Sequence, residues 1–278
     1  MDKGYDCWGS DDPASPVIVS VSHAGREYPA ALLDALRVPV TALAALEDRY
    51  VDRVAAAACR SETVLVQRRG RAWIDLNRAE RERDPQVDAG AVPQRQPSAK
   101  LRSGLGLVPR RVSGAGDLWR RRFTGEEIDA RIAADHHPYH RALDALLAAA
   151  RARFGIAILF DLHSMPPLSP RGPHVVIGDR FGRSCGTRFT ARVERVAADA
   201  GIACAANMPY AGGYIVERHG RPGRGIHAIQ LELDRSLYLD AALNGTGTGL
   251  AATATLVREM IDALADEARA LPLAQAAE

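Results

Sequence analysis

The amino-acid sequence predicts an α/β fold in three layers, a mainly parallel mixed sheet with helices on both faces. Three observations carry that prediction. Short β-rich apolar runs alternate with longer amphipathic or alanine-rich stretches along the chain. One run, Ile156–Asp161, is almost wholly apolar, as expected of a strand covered on both faces of a parallel sheet. The 278 residues suffice for one large domain with a sizeable core, so a single domain over 1–278 is expected. In such sheets ligands bind beyond the carboxyl ends of the strands, which directs attention to the residues just past each strand.

Taken in order, residues 1–15 are polar and read as a flexible N-terminus, and the first strand is expected at Val17–Ser22, broken by the turn residues of HAGREYP. From Thr41 to Arg60 apolar positions recur at helical spacing, and a helix there puts Asp48 and Asp52 on one face. Thr63–Gln67 and Ala72–Leu76 read as two strands joined by RRGR, paired antiparallel or with a bulge. Residues 81–116 are rich in Arg, Pro, Gly and Gln, lack periodicity, and read as a long irregular loop of the kind that often forms a lid or binding loop. Thr124 with Glu127 forms a capping-box pattern, Pro138 restarts the helix, and Gly155 ends it. Further strands are expected at His174–Gly178, Ile202–Ala205 and Ala228–Leu233, with helices over Thr187–Ala200 and from Gly249 to about Leu271.

Composition narrows the function. Hydrophobic residues are 47% and charged residues 25%, the balance of a globular protein rather than a disordered or fibrous one. Lys plus Arg number 36 against 34 Asp plus Glu, so a net charge of +2 supplies no global attraction for nucleic acid or an anionic membrane. Cys7, Cys59, Cys185 and Cys204 form no CxxC pair, which argues against a thiolate zinc site and a disulfide framework and for a reducing compartment. With no apolar h-region near the N-terminus and no long apolar span, a cytoplasmic protein is expected.

His23, in SVSHAG, and His163, in FDLHSM, each sit just past an apolar strand. A histidine there is more often a packed or loop residue, but two neutral imidazoles with a carboxylate make a catalytic zinc site that leaves a position open for water. Asp48 is the preferred third ligand, with Glu47 second. Asp161, two residues before His163 on the same strand face, either orients that imidazole or caps backbone amides. Gln230, Glu232 and Asp234 alternate along an otherwise apolar strand. A carboxylate buried there needs a site or a partner, so Glu232 is either a general base or the partner of an arginine. Arg71, Asn77 and Arg78, in GRAWIDLNR, can grip a carboxylate through guanidinium and amide donors, or be merely solvated. The segment GGYIVERHGRPGRG reads as a mobile loop with Arg218 and His219 as ionisable hinge residues, because it precedes a strand and not a helix.

Together the segments VSHAGREYP, LEDRYVDRVA, RAWIDLNR, HHPYHRAL, FDLHSMP, IGDRFG, GGYIVERHGRP and IHAIQLELDRSLYLD resemble the N-formylglutamate amidohydrolase family, over roughly Pro16 to Asp240. The resemblance implies a fold related to the zinc carboxypeptidases and hydrolysis of N-formyl-L-glutamate to formate and glutamate, a step of histidine catabolism. It implies one Zn2+ held by His23, Asp48 and His163, with Glu232 as the catalytic carboxylate. Arg218 and His219 are further catalytic candidates, and Arg71, Asn77, Arg78 and Tyr214 the substrate-binding ones. Where the family often has TRHYGRP, this chain has VERHGRP, with Glu217 and Arg218 in altered places. Two rival readings are a metallopeptidase or deacylase acting on larger carboxylate-bearing substrates, and a catalytically idle module that binds an acidic metabolite.

Overall fold

A computed structural model describes residues 3–169 and 172–270. The first two residues of the expected flexible N-terminus, and Leu271 at the expected end of the last helix, lie outside the described residues. In chain order the strands are β1 (Tyr5–Trp8), β2 (Val17–Val21), β3 (Thr63–Gln67), β4 (Arg111–Val112), β5 (Gly116–Asp117), β6 (Ala157–Met165), β7 (Val175–Gly178), β8 (Cys204–Ala206) and β9 (Ile226–Asp234). The α-helices are α1 (Ala30–Ala35), α2 (Val51–Ala58), α3 (Ala99–Arg102), α4 (Gly125–Arg131), α5 (His137–Phe154), α6 (Thr187–Asp199), α7 (Tyr214–His219) and α8 (Leu250–Arg269). Among the described residues no helix is long and apolar enough to cross a membrane.

The chain divides into two compact units. One comprises Met1–Asp6, Ser22–Glu47 and Gln67–Arg141; the other comprises Cys7–Val21, Asp48–Val66 and Ala142–Glu278. The main sheet has the strand order β1-β3-β2-β6-β9-β7-β8. It is mixed and mainly parallel: β3, β2, β6 and β9 run the same way, and β7 turns antiparallel against β9 before pairing parallel with β8. Every residue of β2, β6 and β7 is buried, so both faces of the central strands are covered. This is the expected α/β architecture. Helices α2 and α6 each pack on α8, and α8 also packs on β2 and β6.

Helix α4 begins where the sequence says it should. The Thr124 hydroxyl accepts from the Glu127 amide and the Glu127 carboxylate accepts from the Thr124 amide, a complete capping box. Thr124→Ala is expected to cost about 1 kcal/mol of stability, read by chemical denaturation, because one first-turn N–H loses its acceptor. The Arg121 hydrogen bond is the main force holding the Glu127 carboxyl down at about 2. A depressed folded value means that this contribution is present above about 4.5 and lost as pH falls through about 2.

Four sequence expectations are corrected. Ala72–Leu76 forms turns rather than a strand, and β3 pairs parallel with β2, so no RRGR hairpin exists. The mostly apolar, buried run AWIDL mimics a strand but serves a loop. The stretch 41–60 is not one helix: a 3-10 turn over Val40–Leu46 ends at Glu47, and α2 starts only at Val51. Tyr50 between them is left-handed, at φ 57°, a conformation that costs a non-glycine residue about 1–2 kcal/mol and breaks the helical path beside Asp48. The sheet begins at β1, inside the stretch expected to be flexible. Finally, the segment read as a mobile, hinge-bearing loop contains α7, whose Ile215, Val216 and His219 are buried.

Candidate active site

Strand register assembles the polar face. Ser20 of β2 pairs with Asp161 of β6, Asp161 with Gln230 of β9, and His163 with Glu232. Paired residues of parallel strands share a face, so these five side chains line one side of the sheet toward its carboxyl end. All are buried, and Glu232 is 8% exposed. Polar groups so deeply placed must be hydrogen-bonded to one another.

They are. Ser20 Oγ donates to Asp161 Oδ1 at 2.7 Å, and Asp161 Oδ2 lies 2.8 Å from His163 Nε2. The other ring nitrogen, His163 Nδ1, is 2.9 Å from Asp48 Oδ2, and Arg235 Nη2 donates to Asp48 Oδ1 at 3.3 Å. Burial opposes a charged imidazole here, yet Asp161 and Asp48 outweigh it and hold His163 well above its ordinary value. Gln230 Nε2 donates to Glu232 Oε1 at 2.7 Å, while its Oε1 accepts from the Gly213 amide at 2.9 Å. Gly178, opposite Gln230 on β7, lets the segment before α7 lie close: a Cβ there would stand 2.6 Å from the Gly212 nitrogen.

His23, two residues past β2, has its own carboxylate. Its Nε2 is 2.7 Å from Asp75 Oδ1. Asp75 is fully buried and also accepts from Arg71 Nε at 2.8 Å and from the Asn77 amide at 2.8 Å, with Arg78 Nε 3.9 Å away. Burial resists its ionisation, but the charges of Arg71, His23 and Arg78 keep its carboxyl well below the usual range. Arg78 is itself pinned by the carbonyls of Leu105 and Asn77. Asp75 went unnoticed in the sequence, though a single carboxylate inside AWIDL was the available signal: a buried charge must have partners.

Asp48 and His163 meet through atoms able to ligate a metal ion, 2.9 Å apart, and His23, backed by Asp75, is the second imidazole of that chemistry. Glu47, the alternative to Asp48, instead accepts a hydrogen bond from the Tyr28 hydroxyl. The donors fit zinc: two imidazoles and a carboxylate, with each imidazole backed through its remote nitrogen by Asp75 or Asp161. The α7 residues meet different partners. Arg218 Nη2 and His219 Nδ1 both reach Asp144 of α5, at 3.1 and 3.0 Å, and Arg218 Nη1 is 3.3 Å from the Tyr214 hydroxyl. The His219 hydrogen bond is the main cause holding the Asp144 carboxyl below its ordinary value.

A mixed sheet with an imidazole and carboxylates toward the carboxyl ends of its strands carries them where such sheets bind ligands, and comparison with known proteins gives the family. A family model described as N-formylglutamate amidohydrolase matches residues 15–239. The chain belongs to the N-formylglutamate amidohydrolase family. An N-formylglutamate deformylase of Pseudomonas putida is 30% identical over 233 residues, 81% of this chain and 82% of that one. Another, of Pseudomonas aeruginosa, is 33% identical over 169 residues, 57% of this chain; the match spans 64% of that relative, just under two thirds of its length. The crystal structure of N-formylglutamate amidohydrolase from Ralstonia eutropha JMP134 is similar with a TM-score of 0.84 at 30% identity, covering 96% of this chain and 98% of that one. The gene product Atu2144 of Agrobacterium tumefaciens, at 17% identity and a TM-score of 0.71, shares the fold.

Proposed function

We propose that this chain hydrolyses the amide bond of N-formyl-L-glutamate, or of a closely related N-acyl amino acid, with a zinc ion held by His23, Asp48 and His163. The observation that carries the reading is the donor set itself, two carboxylate-backed imidazoles with Asp48 2.9 Å from His163, in a chain of this family. When bound, zinc supplies Lewis acidity that makes water a nucleophile near neutral pH and polarises the formyl carbonyl.

The chain's own residues do the rest. Glu232 takes the proton from the attacking water and returns it to the amine as the C–N bond breaks, so formate and glutamate leave. The donation from Gln230 fixes the carboxylate's orientation. Arg71, Asn77 and Arg78 hold a substrate carboxylate, and a guanidinium with five N–H donors is not exhausted by one bond to Asp75. Tyr214 contacts the substrate, and Arg218, steadied with His219 by Asp144, meets the developing oxyanion. Domain organisation belongs to the same reading: one catalytic domain spans the chain, acting in the cytoplasm in histidine catabolism.

The test is formate release from N-formyl-L-glutamate by zinc-loaded protein, with and without a chelator. Chelator-sensitive formate release, restored by zinc, is the expected result. Zinc binding without formate would reject the substrate, and turnover indifferent to chelation would reject the metal.

A further inference from the structure

The loop that carries Asn77 and Arg78 is held by a deformed helix. Because residues 72–76 form no strand, the loop's carbonyls have no ladder of N–H groups to donate to them, and buried carbonyls need donors. His140 Nε2 lies 3.0 Å from the Leu76 carbonyl and His136 Nε2 lies 2.9 Å from the Arg78 carbonyl, the two that flank Asn77. A carbonyl only accepts, so both rings carry the proton on Nε2. His136 is 0% exposed and His140 1%, with ring centroids 4.4 Å apart. On the same stretch, Arg131 Nη1 donates to the Trp73 carbonyl at 3.0 Å, and Asp135 Oδ2, next to His136, accepts from Trp73 Nε1 at 2.8 Å.

These four residues could not share one partner on a regular helix. At about 100° per residue, Arg131 and His140 would point about half a turn apart. Between α4 and α5, however, Ile132–His136 is wound as a π-helix, whose i→i+5 bonds take up one extra residue and rotate the following turn back. The π segment therefore aims Arg131, Asp135, His136 and His140 at the same six-residue loop. Such insertions are frequent at functional sites.

We infer that His136 and His140 are positioning residues that set the Asn77–Arg78 grip on the substrate carboxylate, an inference that rests on the function proposed above. Neither touches the substrate; each acts through a backbone carbonyl beside the group that does.

The experiment uses zinc-loaded full-length protein carrying His140→Leu or His136→Leu, with His140→Gln as the conservative variant that keeps an N–H donor. Each leucine variant should raise KM for N-formyl-L-glutamate about tenfold with kcat within about threefold, the pattern of lost ground-state binding. Zinc content should not change, amide exchange over residues 74–78 should accelerate, and His140→Gln should recover most of the KM. A folded leucine variant with wild-type KM and exchange overturns the inference, as does a rise in KM that His140→Gln does not relieve. Where a leucine variant does not fold, the His140→Gln protein and a His136→Gln counterpart decide: a kcat loss or zinc loss in place of a near-wild-type KM also overturns it. Wild-type protein that releases no formate instead defeats the underlying function, and the two failures are told apart by that control.

Discussion

Glu232→Gln is expected to lower kcat for formate release by about 10²–10⁴-fold, the usual contribution of a positioned general acid–base group. Zinc content and melting temperature should stay near wild type. The substitution keeps volume and one carbonyl oxygen, so the hydrogen bond from Gln230 survives while the proton acceptor is lost. Glu232 stands beside His163 in the strand register, and its Oε1 accepts from Gln230. That placement suits a base next to a metal rather than a ligand to it. Metal analysis of the purified variant separates the two roles: loss of zinc would make Glu232 a ligand and require another base.

His163→Ala should have the other large effect. Zinc binding falls below detection and turnover falls to the background rate, because the ring is both a donor and the shared partner of two carboxylates. The metal-free variant should also be less stable than metal-free wild type by about 3–5 kcal/mol, the range for removing one partner from a buried charged group. Asp48 and Asp161 would then face each other across a cavity with no cation between them. Elemental analysis and denaturant unfolding of both apo-proteins measure these effects. Stoichiometric zinc in the variant would show that the metal sits elsewhere.

His23 was legible from its position after an apolar strand; His163, read as just past one, lies inside β6, and its pairing with Asp161 was legible from a spacing of two, which puts alternate residues on one face of any strand. The sequence reading placed both Glu47 and Asp48 on one helix over 41–60, and that expectation does not hold. Asp48 lies outside a helix, in a break made by a left-handed Tyr50, and no periodicity rule reports such a break. Asp75 was missed because its partners, His23, Arg71 and the Asn77 amide, gather around it only when a segment as apolar as a buried strand is folded as a turn. The helicity of Tyr214–His219 was hidden by its glycine-rich flanks, while burial of Ile215, Val216 and His219 stabilises it.

By itself the sequence determined what depends on neighbours along the chain: the α/β class, the capped start of α4, the strand-end imidazoles and the motifs that mark the family. The tertiary structure decided what depends on register and loop path: the mixed order of the sheet, Glu232 beside His163, Asp75 behind His23, and the π turn that presents His136 and His140 to one loop. The division has a physical cause. Propensity and periodicity are set by contacts a few residues apart, whereas a buried carboxylate or imidazole is stabilised by whichever distant partner the packed chain brings within about 3 Å of it.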